Sequence, residues 1–446
     1  MRYFNEEIET MPVSQLRRLQ NERLRQLIHK VYTAVPFYRQ QLDEKGIRPD
    51  DIRGVEDLHK LPFTKKTALR DHYPFGLFAL PVNQAVRLHC SSGTTGKPIV
   101  VGYTRNDIAV FTEVVARSLV AAGCKPGMKL QNAYGYGLFT GGLGLHYGAE
   151  KLGMTVVPIS GGGTERQLLL LKDFKTQALC CTPSYALTLA EEIHKRGMDI
   201  RELALQFAIL GAEPWTESVR SEVEEKLRVR ATNIYGLSEI IGPGVSQEDV
   251  EERGSGSYIW EDHFFPEIVD KDTGEPLPEG SQGVLVFTTL TKEAMPVLRY
   301  WTNDITSIYY DRSVKRSCIK MGPILGRSDD MLIIRGVNLF HTQVEAMLES
   351  FPELSNNYQL VVTHQGTMDE VEVKVEIAKG LFEELSREYT AEKILPHEKV
   401  QQAGHGLEKK MKEHIGLTMK LTLSIPGTIP RSEGGKLSRI VDLRKK

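Results

Sequence analysis

The sequence predicts an α/β protein in two unequal parts. Residues 1–327 form a large N-terminal domain with parallel-rich sheets and a β section, and residues 328–446 form a small α+β C-terminal domain. Three observations carry this. Between about residues 87 and 255, apolar runs alternate with helical-period stretches, the pattern of a largely parallel sheet. A turn-rich stretch flanked by short apolar runs follows. Beyond Gly326 a third texture begins. At roughly 150 residues per domain, 446 residues leave room for two to three domains and a sizeable core.

Leu16, Leu19, Leu24, Leu27 and Val31 recur near a 3.6-residue period and predict a first helix. Pro36, Pro49, Pro62, Pro74 and Pro81 then break the chain into short pieces. Strands are expected at Val156–Val157, Ala178–Cys181 and Phe207–Leu210. The intervening helices are expected at Ile108–Ala122, Arg166–Asp173, Ser184–Arg196 and Trp215–Leu227. Ile268–Asp270 and Gly283–Thr288 flank DKDTGEPLPEGSQG and predict a hairpin. In the last part, strands are expected at Met331–Arg335, Gln359–Val362, Val371–Ile377 and Lys420–Ile425, and helices at Thr342–Leu348, Glu383–Ile394 and Leu407–Ile415.

Composition excludes several classes. Fifty-six basic and 58 acidic residues leave a net charge of -2, which argues against a nucleic-acid or membrane-surface binder. No apolar run nears the roughly 18 residues of a membrane span. Glu6, Glu7 and Glu9 stand where a signal peptide would be basic and then apolar. Five cysteines show no framework spacing. A cytoplasmic protein is the expectation.

The most informative stretch is Ser91-Ser92-Gly93-Thr94-Thr95-Gly96-Lys97-Pro98. Two glycines allow several backbone N–H groups to converge, and hydroxyls and a lysine add donors, as polyphosphate oxygens require. It is not a Walker A loop. Only Thr94 and Thr95 separate its glycines, and Pro98 stands where a metal-binding hydroxyl would be.

This string resembles the phosphate-binding motif of the adenylate-forming superfamily of acyl-CoA synthetases and nonribosomal adenylation enzymes. Three further stretches resemble its motifs in the family's order: Asn233-Ile234-Tyr235-Gly236-Leu237-Ser238-Glu239, Gly326-Arg327-Ser328-Asp329-Asp330 and Pro430-Arg431-Ser432-Glu433-Gly434-Gly435-Lys436. The wording, including GAEPW at 211–215, is most similar to phenylacetate–CoA ligases.

The resemblance implies a reaction in two halves, ATP-dependent formation of an acyl-adenylate and transfer of the acyl group to coenzyme A. The first half gathers negative charge, so it needs cations and positioned donors more than a general base. Lys436 would be the catalytic cation, carried by a mobile C-terminal lid domain. Ser91, Ser92, Gly93, Thr94, Thr95, Gly96, Lys97, Gly211, Ala212, Glu213, Asn233, Tyr235, Gly236, Ser238, Asp304 and Arg327 would hold ATP or AMP, with Tyr235 beside adenine and Asp304 on the ribose hydroxyls. Glu239 would bind Mg²⁺. Asp329 would be the hinge. Tyr136, Phe139, Gly141, Ala212, Ile240 and Pro243 would line the aryl-acid pocket.

Two departures stand out. Trp301 and Asn303 replace residues common before the ribose aspartate. A second glycine, Gly435, precedes the lysine. Many relatives carry a Cys/His zinc cluster near the hinge. Here 316–322 holds only Cys318, and 250–260 holds neither Cys nor His, so structural zinc is expected to be absent. His263 is read as structural, with its neighbours Glu261 and Asp262 on opposite faces of a strand. A homodimer is suggested by the resemblance alone. Nothing names CoA by its own residues, since Lys409, Lys410 and Lys412 equally suit a solvated helix face. A carrier protein, amine or hydroxyl as acceptor, and a non-catalytic nucleotide binder, stay open as alternatives.

Overall fold

A computed structural model of the chain describes residues 1–91, 98–311, 316–328, 332–334, 337–339, 341–365, 368–431 and 439–443. The centre of the fold is a nine-stranded sheet. Thr155–Val157, Lys129–Asn132, Ala178–Cys181, Phe207–Gly211 and Arg230–Leu237 run parallel in that order. Gly242–Glu248, Ser257–Ile259, Lys320–Met321 and Ile308–Tyr309 extend it antiparallel. The parallel strands are buried on both faces, as their apolar runs require. Leu130, Cys180 and Ile209 join one apolar cluster, and the alternate residues Leu179, Cys181, Ala208 and Leu210 join another.

Helices Arg105–Ala121, Thr164–Phe174, Pro183–Lys195 and Glu217–Leu227 lie between the strands. Each starts within a few residues of the expected place, and three of the four have a side-chain cap. Thr104 accepts the Asp107 N–H while Asp107 accepts the Thr104 N–H, a reciprocal capping box. Thr182 with Pro183, and Thr216, open two more. Trp215 falls outside its helix because Thr216 is the cap.

The hairpin is present. Phe264–Val269 pairs antiparallel with Gly283–Thr289, and Tyr300–Thr306 and Gly326–Arg327 complete a four-stranded sheet. In the last part, Leu354–Gln365 and Met368–Ile377 pair antiparallel, flanked in parallel by Ile440–Asp442 and Lys420–Ser424. Its apolar cluster, from Leu332 to Met419, is separate from those of residues 24–321. No helix among the described residues is long and apolar enough to cross a membrane.

Several elements differ from expectation. The helix expected over Glu383–Ile394 is two pieces, Lys379–Leu385 and Ala391–Ile394. The strand expected over Met331–Arg335 is described at Leu332–Ile334. Pro36–Glu44 is a helix with proline in its first turn, where a missing N–H costs nothing. Thr140–Leu152 is also a helix, although four glycines depress its propensity. Packing explains it: a Cβ on Gly144 would come within 2.2 Å of Phe111, and one on Gly148 within 2.3 Å of Val115. The glycines let it lie directly on the helix Arg105–Ala121.

Candidate active site

The site gathers at the seam between the two large sheets. The strands Arg87–Cys90 and Val100–Tyr103, which flank residues 92–97 in the chain, pair antiparallel, with Cys90 opposite Val100 and the Ser91 N–H donating to Ile99 O at 2.9 Å. Ser92, Gly93, Thr94, Thr95, Gly96 and Lys97 lie outside the described residues, as do Asp329 and Lys436.

Gly211 ends its strand against the next one, where a Cβ would sit 2.1 Å from Ile234 O. Ala212 follows at φ +71°, a left-handed conformation that a non-glycine residue adopts at a cost. Glu213 accepts the Ser184 N–H at 2.7 Å, tying this turn to the start of the helix Pro183–Lys195. Asn233 accepts the Trp215 indole N–H at 3.1 Å. Gly236 is required by the backbone: a Cβ would come within 1.8 Å of Gly242 O.

Tyr235 and Asp304 join the two sheets. The Tyr235 hydroxyl donates to Asp304 Oδ2 at 2.6 Å, and Arg327, opposite Asp304 in strand register, reaches Oδ1 at 3.4 Å. Burial, then the Asp304 charge, pushes the Tyr235 pKa up, so it stays a donor. Its ring tilts against Phe287 at 6.4 Å. Tyr235 therefore has a second task beside any adenine contact: it holds the carboxylate expected to meet the ribose.

Ser238 Oγ lies 3.1 Å from Thr140 Oγ1. Glu239 is buried, and its charge adds to burial in pushing the Tyr300 pKa up. A carboxylate is the donor type that suits Mg²⁺, which keeps most of its shell for water and phosphate oxygens. Sequence reasoning missed the cation behind it. Lys292, 3% exposed, donates to Glu239 O at 2.9 Å and lies 5.4 Å from the Tyr103 ring centroid. Burial pushes its ammonium down to about 8, against the opposing pull of Asp107 and Glu239. A lysine inside TLTKEAMP carries no local signal, because its partners lie far away in sequence.

On the acid side, the Tyr136 hydroxyl accepts the Asn132 amide N–H at 2.9 Å and lies 3.2 Å from His146 Nδ1, whose Nε2 is 3.1 Å from Glu150. Phe139 is 37% exposed, and a Cβ on Gly141 would come within 2.3 Å of it. Ile240 is buried, and Pro243 is half-buried opposite Gly236. Thr140 brings the segments 135–142 and 236–243 together through Ser238 and Gly242.

The two departures before Asp304 have places of their own. Trp301 packs edge-on against Phe63 at 4.9 Å and below Lys65. Asn303, at φ +68°, accepts from the Ser328 N–H and hydroxyl. Both line a cavity of about 370 Å³ with Lys65, Lys66, Lys271 and Ser328.

His263 differs from expectation. Residues 261–263 form a turn rather than a strand, so His263 Nε2 does reach Asp262 Oδ2, at 3.1 Å. Burial holds its pKa down to about 4, and Arg117 takes the same aspartate at 2.9 Å. Where zinc ligands were sought, Arg316 pairs with Glu9 and Asp249, and Lys320 with Glu252 and Asp311.

Two sheets meet at a hydroxyl–carboxylate contact, and a separate C-terminal unit follows them, the two-part layout of an adenylate-forming enzyme. Residues 18–291 match the AMP-binding enzyme family and residues 336–444 match the AMP-binding enzyme C-terminal domain, and the chain belongs to that family. It is 61% identical over 444 residues to the phenylacetate-coenzyme A ligase of Thermus thermophilus, covering 99% of this chain and 100% of the relative. It is 49% identical over 438 residues to that of Escherichia coli, covering 98% and 97%. Among solved structures it resembles 2-hydroxyisobutyryl-CoA ligase in the postadenylation state, at 26% identity and a TM-score of 0.90, over 100% of this chain and 93% of that one. Against the same ligase with CoA in the thioesterification state, at the same coverage, the TM-score is 0.72.

Two outcomes are expected. Tyr235→Phe removes a donor to a carboxylate, a bond worth about 1.5–3 kcal/mol, and should raise the KM for ATP about tenfold while leaving that for the acid within about twofold. Steady-state kinetics with each substrate varied would show it, and equal effects on both would refute it. For Lys292, the unfolded chain keeps a proton between about pH 8 and 10.5 that the folded chain has lost, so stability rises with pH there. The stability curve of Lys292→Met should lack that rise. Parallel denaturant midpoints for the two proteins across that window would count against it.

Proposed function

We propose that the protein is an AMP-forming ligase that joins phenylacetate to coenzyme A. The observation that carries this reading is full-length identity of 49–61% to four phenylacetate-coenzyme A ligases, over a chain that keeps the family's motifs in order. The acid's carboxylate oxygen attacks the α-phosphorus of ATP. The bond to the β-phosphate oxygen breaks, and pyrophosphate leaves. The CoA sulfur then attacks the activated carbonyl, the thiol loses its proton, and AMP leaves.

Residues 1–327 act as the ATP- and acid-binding domain and residues 328–446 as the C-terminal domain, hinged at Asp329. Asp304, oriented by Tyr235 and Arg327, accepts the ribose hydroxyls. The turn at Gly211, Ala212 and Glu213, with Asn233 and Gly236, frames the adenosine. The loop from Ser91 to Lys97 and Ser238 donate to phosphate oxygens. Glu239 holds Mg²⁺, which neutralises phosphate charge when bound. Lys436 spans the acid carboxylate and the α-phosphate. Tyr136, Phe139, Gly141, Ala212, Ile240 and Pro243 surround the aryl ring, whose faces and edges suit aromatic neighbours. Zinc has no part in this reading: Arg316 and Lys320 give the place where it was sought cations rather than ligands. A cytoplasmic location, where ATP and CoA are supplied, and a homodimer complete it.

The test is pyrophosphate release across a panel of arylacetic, benzoic, indolic and fatty acids, with and without CoA, and mass spectrometry of the products. Phenylacetyl-CoA as the dominant product is expected. Acyl-AMP without a CoA ester would move the acceptor to a carrier protein, an amine or a hydroxyl. A second expectation concerns Lys436→Ala. It should cut adenylation by at least about a hundredfold, the range for removing one transition-state donor, while transfer from synthetic phenylacetyl-AMP changes little. Equal losses in both steps would refute the assigned role.

A further inference from the structure

Two arginines bracket the segment that carries Lys436. On its far side, Arg439 lies over the Tyr358 ring at 4.5 Å, donates to Tyr358 O at 3.2 Å and leads into the strand Ile440–Asp442. That arginine belongs wholly to the C-terminal unit. On its near side, Arg431 forks onto Glu376, with Nη1 at 3.0 Å from Oε1 and Nη2 at 2.7 Å from Oε2. Glu376 is fully buried and also accepts the Ile429 N–H at 2.7 Å. Such a bidentate pair on a buried carboxylate fixes the plane of the guanidinium.

The remaining nitrogen, Arg431 Nε, lies 3.7 Å from Glu191 Oε2. Glu191 is on the helix Pro183–Lys195 of the N-terminal part, and the first turn of that helix is the one tied to Glu213. One guanidinium thus joins the C-terminal sheet, by Glu376, to the helix whose start is bonded to the turn at 211–213. The contact exists in an arrangement of the two parts that matches a postadenylation ligase better than a thioesterification one. A contact present in one arrangement shifts the population toward it by its own strength and no more.

We propose that Glu191 and Arg431 are positioning residues for adenylation: their interdomain ion pair holds the C-terminal unit in the orientation that delivers the lysine segment, five residues on, to the site. The inference rests on the ligase reading given above. The pair is part-exposed, at 34% for Glu191 and 26% for Arg431, so its effect is modest and salt-sensitive.

The experiment measures ATP–pyrophosphate exchange with phenylacetate, for adenylation, and CoA transfer from synthetic phenylacetyl-AMP, for the second half. Glu191→Gln leaves the Arg431–Glu376 fork intact. It is expected to slow adenylation about two- to fivefold, the worth of an exposed pair, and Glu191→Lys about tenfold. CoA transfer should be unchanged or faster in both, with melting temperatures within about 2 °C of wild type. At about 1 M salt, Glu191→Gln and wild type should converge, because screening removes the pair from both. Glu192→Gln, on the same helix but paired with Lys195 and Arg196, is the control and should match wild type. Equal slowing of both half-reactions, or adenylation by Glu191→Lys at the wild-type rate, would overturn the inference while leaving the ligase reading intact. Wild-type protein without exchange for any acid of the panel would overturn that reading and this inference with it.

Discussion

The bond between the Tyr235 hydroxyl and Asp304 is the constraint around which the site is built. Tyr235 lies near the C-terminal end of the strand Arg230–Leu237 of the nine-stranded sheet, and Asp304 lies within the strand Tyr300–Thr306 of the four-stranded one. The contact joins them at the point where the strand order turns from parallel to antiparallel. Lys292 crosses the same seam a few residues away, from the loop after Gly283–Thr289 to Glu239 O. The loop itself is held by Asp107, which accepts the N–H groups of Glu293 and Ala294 at 2.7 and 2.9 Å. A helix cap thereby also anchors the loop that presents the buried ammonium.

Buried charge recurs elsewhere in the large part of the chain. Arg117 pairs with Asp262, Arg299 with Glu267 and Arg316 with Glu9, each pair almost out of solvent. Such pairs add little net stability over apolar residues, but losing one partner is costly. They therefore lock register more than they add stability. Arg299 shows the point: at φ +43° it donates to His59 O and Leu61 O as well as to Glu267, fixing the strand that begins at the next residue and carries Asp304.

The alternation of strands and helices, and the loops that hold the motifs, were legible because they are written locally. The helical period of Ile108–Ala122 and Ser184–Arg196 and the turn residues between Asp270 and Gly283 signal their structure within a few residues. The helix Thr140–Leu152 was not legible, because glycine propensity opposes it and only Phe111 and Val115, across the packing, reward it. His263 was misplaced for a similar reason. Treating 261–263 as a strand set Asp262 on the far face, whereas a turn brings it alongside. Among candidate site residues, the motifs gave identities but not partners. Asp304 and Tyr235 were each named, yet that one orients the other depends on two sheets meeting. Lys292 and Glu191 carry no motif, and only the folded chain shows what they face.

The placement of Arg431 follows from the chemistry of two half-reactions sharing one site. In the proposed reaction Lys436 serves the first step, and the element that carries it would move for the second. Stabilising the first orientation strongly would make departure slow, since the barrier to leaving includes the free energy of every contact that must break. A fork onto Glu376 that stays within the C-terminal unit, with one solvent-screened reach to Glu191 across the boundary, divides the task. The buried bonds hold the arginine ready without opposing movement, and the weak exposed contact sets which orientation is preferred. An apolar latch of the same reach would bury surface in one state and expose it in the other, at about 25 cal/mol per Å². The bias from a screened ion pair stays near the thermal energy, which is the scale a reversible domain rotation requires.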